Sequence, residues 1–225
     1  MVALLLLFRG RIPASSGHPD YKRALRTSPA SNRPLLDCAG VGDVVGGRGG
    51  AEASAEVSGV ESTESTFRFG TGSVGETEGV GELLGGLLVP GDVIGLVGEL
   101  GAGKTAFVRG VARGAGVPTG HPVNSPTFTI LNVYEGRECL LFHLDLYRLD
   151  DPSELEGIGM SELQSGRGML LVEWADRYPD ALPSDRLTIT LRTSGQDMRD
   201  VLVTAGGPQS QELLDELRGA FESAA

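Results

Sequence analysis

Between residues 66 and 221 the spacing of apolar positions switches repeatedly between a strand period and a helix period. Thr66-Phe67-Arg68-Phe69 alternates and predicts a first strand. Glu76 to Leu88 places Val80, Leu83, Leu84, Leu87 and Leu88 on one helical face, although Gly79, Gly81, Gly85 and Gly86 lower its helix propensity. Pro90-Gly91-Asp92 predicts a turn, and Asp92-Val93-Ile94-Gly95-Leu96-Val97 a buried strand. Lys104 to Arg113 returns to helical spacing through Phe107, Val108, Val111 and Ala112, with Gly114 and Gly116 as stop signals. After a loop over 118–126, Thr127–Tyr134 and Cys139–Asp145 predict a hairpin about Glu135-Gly136-Arg137-Glu138. Asp151-Pro152-Ser153 opens a helix through Met160 and Leu163, and Ser153 and Glu156 have capping-box spacing. Gly168 to Glu173 is a continuous apolar run ending in an acid, followed by Trp174. Arg186–Arg192 and Met198–Thr204 predict a second hairpin around residues 194–197, and Ser210–Phe221 a C-terminal helix. Hairpins mixed with continuously buried runs predict an α/β fold whose sheet is part parallel and part antiparallel.

The glycines before the Lys104 helix give this pattern a chemical meaning. Gly98-Glu99-Leu100-Gly101-Ala102-Gly103-Lys104-Thr105 is G-x-x-x-x-G-K-[ST], preceded by a strand and followed by a helix, as a phosphate-binding loop requires. The expected domain is therefore a P-loop NTPase-like three-layer α/β unit over residues 61–225. Its backbone amides, from Gly98 into Ala106, would cradle phosphate oxygens at a helix N-terminus. Lys104 would reach the outer phosphates and the Thr105 hydroxyl would hold Mg²⁺.

Such a loop needs a second acid at the end of a neighbouring buried strand. Glu173 ends Met169-Leu170-Leu171-Val172 and Asp145 ends Leu140-Leu141-Phe142-His143-Leu144. One acid would help hold the metal and the other orient the attacking water. Strand alternation places His143 on the face of Asp145, where it either orients that carboxylate or is a satisfied core histidine. Trp174 is either core packing, or a platform near the nucleotide or an interface anchor. Ser125-Pro126-Thr127 is either a nucleotide-sensing segment or an ordinary rigid turn. Tyr147 and Arg148 are expected to shape a loop or meet a partner.

Charge narrows the partners. Of a net −11, residues 1–60 contribute +2 and the remainder −13, so the domain will not hold a nucleic-acid backbone by general electrostatics. The two cysteines, Cys38 and Cys139, and the three histidines have no metal-ligand spacing, which fits a reduced, cytoplasmic protein. Met1–Phe8 is apolar but far short of the about 20 residues that span a bilayer, and Arg9 and Arg11 follow it rather than precede it. Residues 12–60, rich in Ser, Pro, Gly, Ala and Arg without a period, are expected to be a disordered tail or a non-native extension from a start assigned too far upstream.

The segments GELGAGKT (98–105), SPTFT (125–129), HLDLYRLDDPSEL (143–155) and VEW (172–174) together closely resemble the bacterial TsaE (YjeE) family of tRNA threonylcarbamoyladenosine biosynthesis ATPases, over about residues 66–205. The resemblance implies a Mg²⁺-dependent ATPase needed for N6-threonylcarbamoyladenosine at position 37 of tRNAs reading ANN codons. It implies action with a TsaD–TsaB pair, no transfer of the threonylcarbamoyl group by this chain, contact with tRNA only through that pair, and no membrane. Carried over by motif, Lys104 and the loop amides bind ATP phosphates, Thr105 and Glu173 hold Mg²⁺, and Asp145 has a supporting catalytic or switch role. Arg199 falls where members place an Arg near the nucleotide, and the segment Val74–Thr77 where adenine is contacted. Ala106 stands where many members have a second Thr, and the N-terminal extension is unlike the family.

Other functions fit less well. A small-molecule kinase, the nearest alternative, needs a lid with several Arg to exclude water, and the chain after the loop offers no such cluster, Arg137 and Arg148 being isolated. A GTPase would show an Asn-Lys-x-Asp stretch, and the chain has none. A non-catalytic module that has kept a nucleotide site is the remaining class.

Overall fold

The computed structural model describes residues 62–63 and 65–224; the expectation for residues 1–60 lies outside them. Eight strands form one sheet in the order β1-β2-β8-β7-β3-β6-β5-β4. They are β1 (Ser62–Thr63), β2 (Thr66–Thr71), β3 (Val93–Val97), β4 (Leu131–Glu135), β5 (Leu140–Asp145), β6 (Gly168–Glu173), β7 (Leu187–Thr193) and β8 (Arg199–Ala205). The helices are α1 (Val74–Leu87), α2 (Lys104–Gly114), α3 (Glu154–Ile158), α4 (Met160–Leu163) and α5 (Pro208–Ala224). β7, β3, β6 and β5 run parallel. Antiparallel β4 closes one edge, and β8, β2 and β1 extend the other. The mixed α/β architecture expected from the hairpins and buried runs is the one present.

Burial explains why the strands read as they do. β6 is buried at every position and β3 at all but its last, because helices cover both faces there. On one face α1, α2 and α5 pack Leu84, Phe107, Val111 and Leu214 against Phe67, Ile94, Leu171 and Ile189. On the other face Leu155, Met160 and Leu163 of the short helices cover Phe142, Leu144, Leu170 and Val172. From Leu187 to Leu191 β7 alternates buried and half-buried positions because only its α1–α2–α5 side is fully covered.

The glycines that weaken α1 on paper have a packing purpose. A Cβ on Gly81 would stand 2.3 Å from the Phe107 carbonyl oxygen, and one on Gly85 2.1 Å from that of Val111. Gly110 and Gly114 on α2 leave the same room for the Glu78 and Glu82 carbonyls of α1. The backbones thus approach far closer than any larger residue permits. Ion pairs from Glu78 to Arg109 and Arg113, each 2.8 Å, flank the contact. This contact fixes the helix whose first turn is the candidate phosphate site.

Three local expectations are corrected. The strand expected from Thr127 begins at Leu131, because residues 127–130 form a turn in which Ile130 takes φ 65° and its amide donates to the Pro126 carbonyl at 2.6 Å. The helix expected from 153 to 163 is broken by Gly159 at φ 79° into α3 and α4, and Ser153 caps nothing with its side chain. A variant of the capping box is at Ser73: its hydroxyl accepts from the Glu76 amide at 3.1 Å, and Glu76 Oε2 accepts from the amide of Gly72, one residue before the cap, at 2.8 Å. That box starts α1 two residues before the expected Glu76.

Two substitutions test the close helix contact. Gly85→Ala should cost about 1–3 kcal/mol or more by overpacking. Gly86→Ala, where a Cβ meets nothing within 4 Å, should be stabilising by up to about 1 kcal/mol. Chemical denaturation of the two variants measures both.

Candidate nucleotide and metal site

β3 delivers the chain to the C-terminal edge of the parallel strands, where residues 98–103 turn back into α2. Gly98, Gly101 and Gly103 adopt φ of 150°, 80° and 107°. A Cβ on Gly98 would lie 2.4 Å from the Leu191 carbonyl oxygen, so only glycine fits there. Above Gly101 nothing stands within 4 Å, which leaves the backbone open to a ligand. Gly103 begins α2 with no side-chain cap, so the amides of its first turn are offered outward at the positive end of the helix dipole. Leu100 at the loop tip is exposed, whereas Ala102 and Ala106 are buried beneath it.

Lys104 is 4 % exposed, and its ammonium is folded back onto its own loop. Nζ donates to the carbonyls of Gly98 at 2.6 Å and Glu99 at 2.9 Å, and lies 3.7 Å from the centre of the Trp174 ring. Burial holds this ammonium below its ordinary range, against the upward pull of the carboxylates of Glu173, Asp145 and Asp176.

The two candidate acids stand side by side. Asp145 and Glu173 are register partners on adjacent parallel strands, and Glu173 is paired on its other side with Leu96, two residues before the loop. Both are buried. Glu173 Oε1 accepts from the Thr105 hydroxyl at 2.9 Å and meets His143 Nε2, also at 2.9 Å. Asp145 is fully engaged otherwise. Its Oδ2 accepts from the Ser125 and Thr127 hydroxyls, each at 2.7 Å, and its Oδ1 from the Tyr147 amide at 2.9 Å. Of the two readings left open for His143, orienting Asp145 or filling the core as a satisfied histidine, neither describes its contact, which is with Glu173. Parallel register places His143 beside Leu171, so the reach to Glu173 is a diagonal one that alternation along a single strand does not reveal.

Trp174 leaves β6 at φ 59°, a left-handed conformation that a bulky residue seldom takes. The turn lays its ring beside Lys104 and Tyr147, the latter at 4.9 Å between centroids. Arg177, which sequence reasoning passed over, donates to the Tyr147 and Leu149 carbonyls, and the Tyr178 hydroxyl to Leu149 at 2.7 Å. The loops after β5 and β6 are thereby clipped together. No spacing rule links an arginine to carbonyls 28 and 30 residues away. Arg148 lies 4.1 Å from the ring centre of Phe128, which is exposed. Arg199 is bonded to the loop, its Nε donating to the Ala102 carbonyl at 2.9 Å. The Thr77 hydroxyl is held by Thr71 at 2.8 Å, while Val74 beside it is exposed.

Among the described residues no group of three or more His, Cys, Asp or Glu could hold a metal by itself. A hydroxyl and a buried carboxylate, completed by phosphate oxygens and water, are nonetheless the donor set that suits Mg²⁺. Thr105 and Glu173 supply that pair, and Glu173 Oε2 carries no hydrogen bond among the described residues.

A family model described as threonylcarbamoyl adenosine biosynthesis protein TsaE matches residues 71–201, more than half of the chain. The chain belongs to the TsaE family. The tRNA threonylcarbamoyladenosine biosynthesis protein TsaE of Bacillus subtilis is 42 % identical over 142 residues, covering 63 % of this chain and 87 % of that one. The protein of the same name from Treponema pallidum is 40 % identical over 131 residues, covering 58 % and 95 %. The crystal structure of Bacillus subtilis YdiB superposes with a TM-score of 0.59 at 36 % identity, covering 68 % of this chain and 94 % of that one. The family is one of tRNA threonylcarbamoyladenosine biosynthesis. Among the described residues no helix of this chain is long and apolar enough to cross a membrane.

Trp174 is the single tryptophan of the chain and carries the Lys104 ammonium on its face. Adding nucleotide should therefore change its emission as Lys104 leaves the ring. Lys104→Ala should shift the resting spectrum and remove most of that response in a fluorescence titration.

Proposed function

We propose that this member of the TsaE family is the Mg²⁺-dependent, ATP-hydrolysing subunit of a tRNA threonylcarbamoyladenosine system, acting in the cytoplasm on a TsaD–TsaB pair that itself holds the tRNA. The observation that carries the reading is the 2.9 Å bond from the Thr105 hydroxyl to the buried Glu173 carboxylate, beside a glycine loop and an enclosed lysine. That is the arrangement by which a phosphate-binding loop and a strand-end acid share one metal. The strongly acidic domain supports the view that tRNA is met through partners.

Each residue then has a task. The amides of residues 101–106 bind the phosphates of ATP at the helix N-terminus. Lys104 exchanges two carbonyls and an aromatic face for phosphate oxygens. The contacts it leaves are worth about 1.5–3 kcal/mol per charged hydrogen bond and about 0.5–2 for the ring, so charge-assisted bonds to phosphate must replace them. Thr105 and Glu173 hold Mg²⁺, which supplies neutralisation of charge on the outer phosphates. Asp145 ties down Ser125 and Thr127, so the segment 125–127 is released or retained according to what that carboxylate binds. Once released, Asp145 can accept a hydrogen bond from the attacking water. Arg199 braces the loop through the Ala102 and Gly101 carbonyls.

The purified protein should hydrolyse ATP slowly, with GTP a poor substrate. Lys104→Ala should weaken ATP binding at least about tenfold, the scale of losing one charge-assisted contact. Glu173→Gln should fold and bind nucleotide but lose hydrolysis by about two orders of magnitude, the scale of one preorganised charged group. Combined with TsaB, TsaD, a source of threonylcarbamoyl-adenylate and tRNA, the wild-type chain should give repeated rounds of modified tRNA. Repeated rounds with Glu173→Gln would refute the role given to hydrolysis.

A further inference from the structure

His143 is fully buried and lies outside the phosphate loop, yet its Nε2 stands 2.9 Å from the Glu173 oxygen that also accepts from Thr105. Its other ring nitrogen, Nδ1, is buried without a hydrogen-bond partner. These two facts fix the tautomer. A hydrogen on Nδ1 alone would be a buried donor without an acceptor, and would turn the Nε2 lone pair against a carboxylate oxygen. Nε2 therefore carries the hydrogen and donates it to Glu173.

A buried imidazole with one nitrogen unpaired is a poor way to fill a core position. Leu141, on the same face two residues earlier, fills its place with an aliphatic chain. The unpaired Nδ1 calls for an explanation, and the donation to Glu173 supplies one. Two donors on Oε1, Thr105 from α2 and His143 from β5, pin the rotation of the carboxylate. Oε2 is then the oxygen left without a protein hydrogen bond. We propose that His143 is the positioning residue for Glu173, setting which carboxylate oxygen faces the metal by donating from Nε2 to the other. This rests on the reading of Glu173 as a metal-holding carboxylate. Imidazole and carboxylate partners that orient a metal's own ligand commonly alter metal affinity by about 10–100-fold.

The test measures affinity rather than turnover. Calorimetry gives the Kd for the β,γ-imido analogue of ATP with Mg²⁺ and with EDTA, for the wild-type chain, His143→Leu, His143→Gln and His143→Asn. Circular dichroism and melting confirm folding. The expected result is that His143→Leu reduces the tightening given by Mg²⁺ about tenfold while binding in EDTA stays within about twofold. His143→Gln, whose amide nitrogen reaches the Nε2 position, should restore the Mg²⁺ effect, and His143→Asn, whose amide reaches only the Nδ1 position, should not. If His143→Leu fails to fold, the Gln and Asn variants decide the matter alone. A wild-type Mg²⁺ effect in His143→Leu, or equal effects in the Gln and Asn variants, overturns the role of His143 and leaves Glu173 in place. Absence of any Mg²⁺ effect in the wild-type chain overturns the assignment to Glu173 and this role with it.

Discussion

One carboxylate oxygen joins the parts of this molecule that have to act together. Oε1 of Glu173 receives the Thr105 hydroxyl from the first turn of α2 and meets His143 on β5, while its own residue ends β6. The carboxylate is buried, so these contacts act where water screens them little. The glycine loop, the strand beside it and the strand beyond that are thus tied at a single point. The rest of the fold serves to keep this point in place. The close glycine-mediated contact of α1 and α2 fixes the axis of the helix that carries Thr105. Parallel pairing of β3 with β6 and of β6 with β5 fixes where the two acids fall.

The same tie divides the site into two halves with different resting states. On one half the lysine is satisfied internally by two loop carbonyls and an indole face. On the other half Asp145 is saturated by Ser125, Thr127 and the Tyr147 amide. Arg177 and Tyr178 bind the loops behind both acids into one piece. Apart from Glu173 Oε2 and His143 Nδ1, the side chains of the two acids, Lys104 and Thr105 are engaged with one another or with the backbone, and a ligand must exchange partners with them.

Much of this was legible in the sequence because it depends on short-range pattern. The glycine loop, the strand before it and the helix after it lie within one continuous stretch, and the two acids each end an apolar run. The hairpin of β7 and β8 was equally readable, since alternation and a polar turn adjoin. Less legible were features decided by contacts between distant segments. The glycines of α1 counted against a helix until the carbonyls of α2 stood opposite them. Thr127–Ile130 has strand composition, yet the Thr127 hydroxyl bond to Asp145 and the left-handed Ile130 make it a turn. His143 shares a face with Asp145 along its own strand, but the register with β6 turns its hydrogen bond to Glu173. Trp174 was undecided between core and platform, and the ammonium on its ring gives it a place beside the loop lysine.

The most direct measurement is a crystal structure with the β,γ-imido analogue of ATP and Mn²⁺ in place of Mg²⁺, with the metal located by anomalous scattering. The expected result is a metal peak beside the Thr105 hydroxyl and the Glu173 carboxylate, phosphates on the amides of residues 101–106, and Lys104 drawn off the Trp174 ring. A metal peak elsewhere, or phosphates bound while Lys104 still rests on Trp174, would contradict the central claim that this loop and this acid share one metal nucleotide.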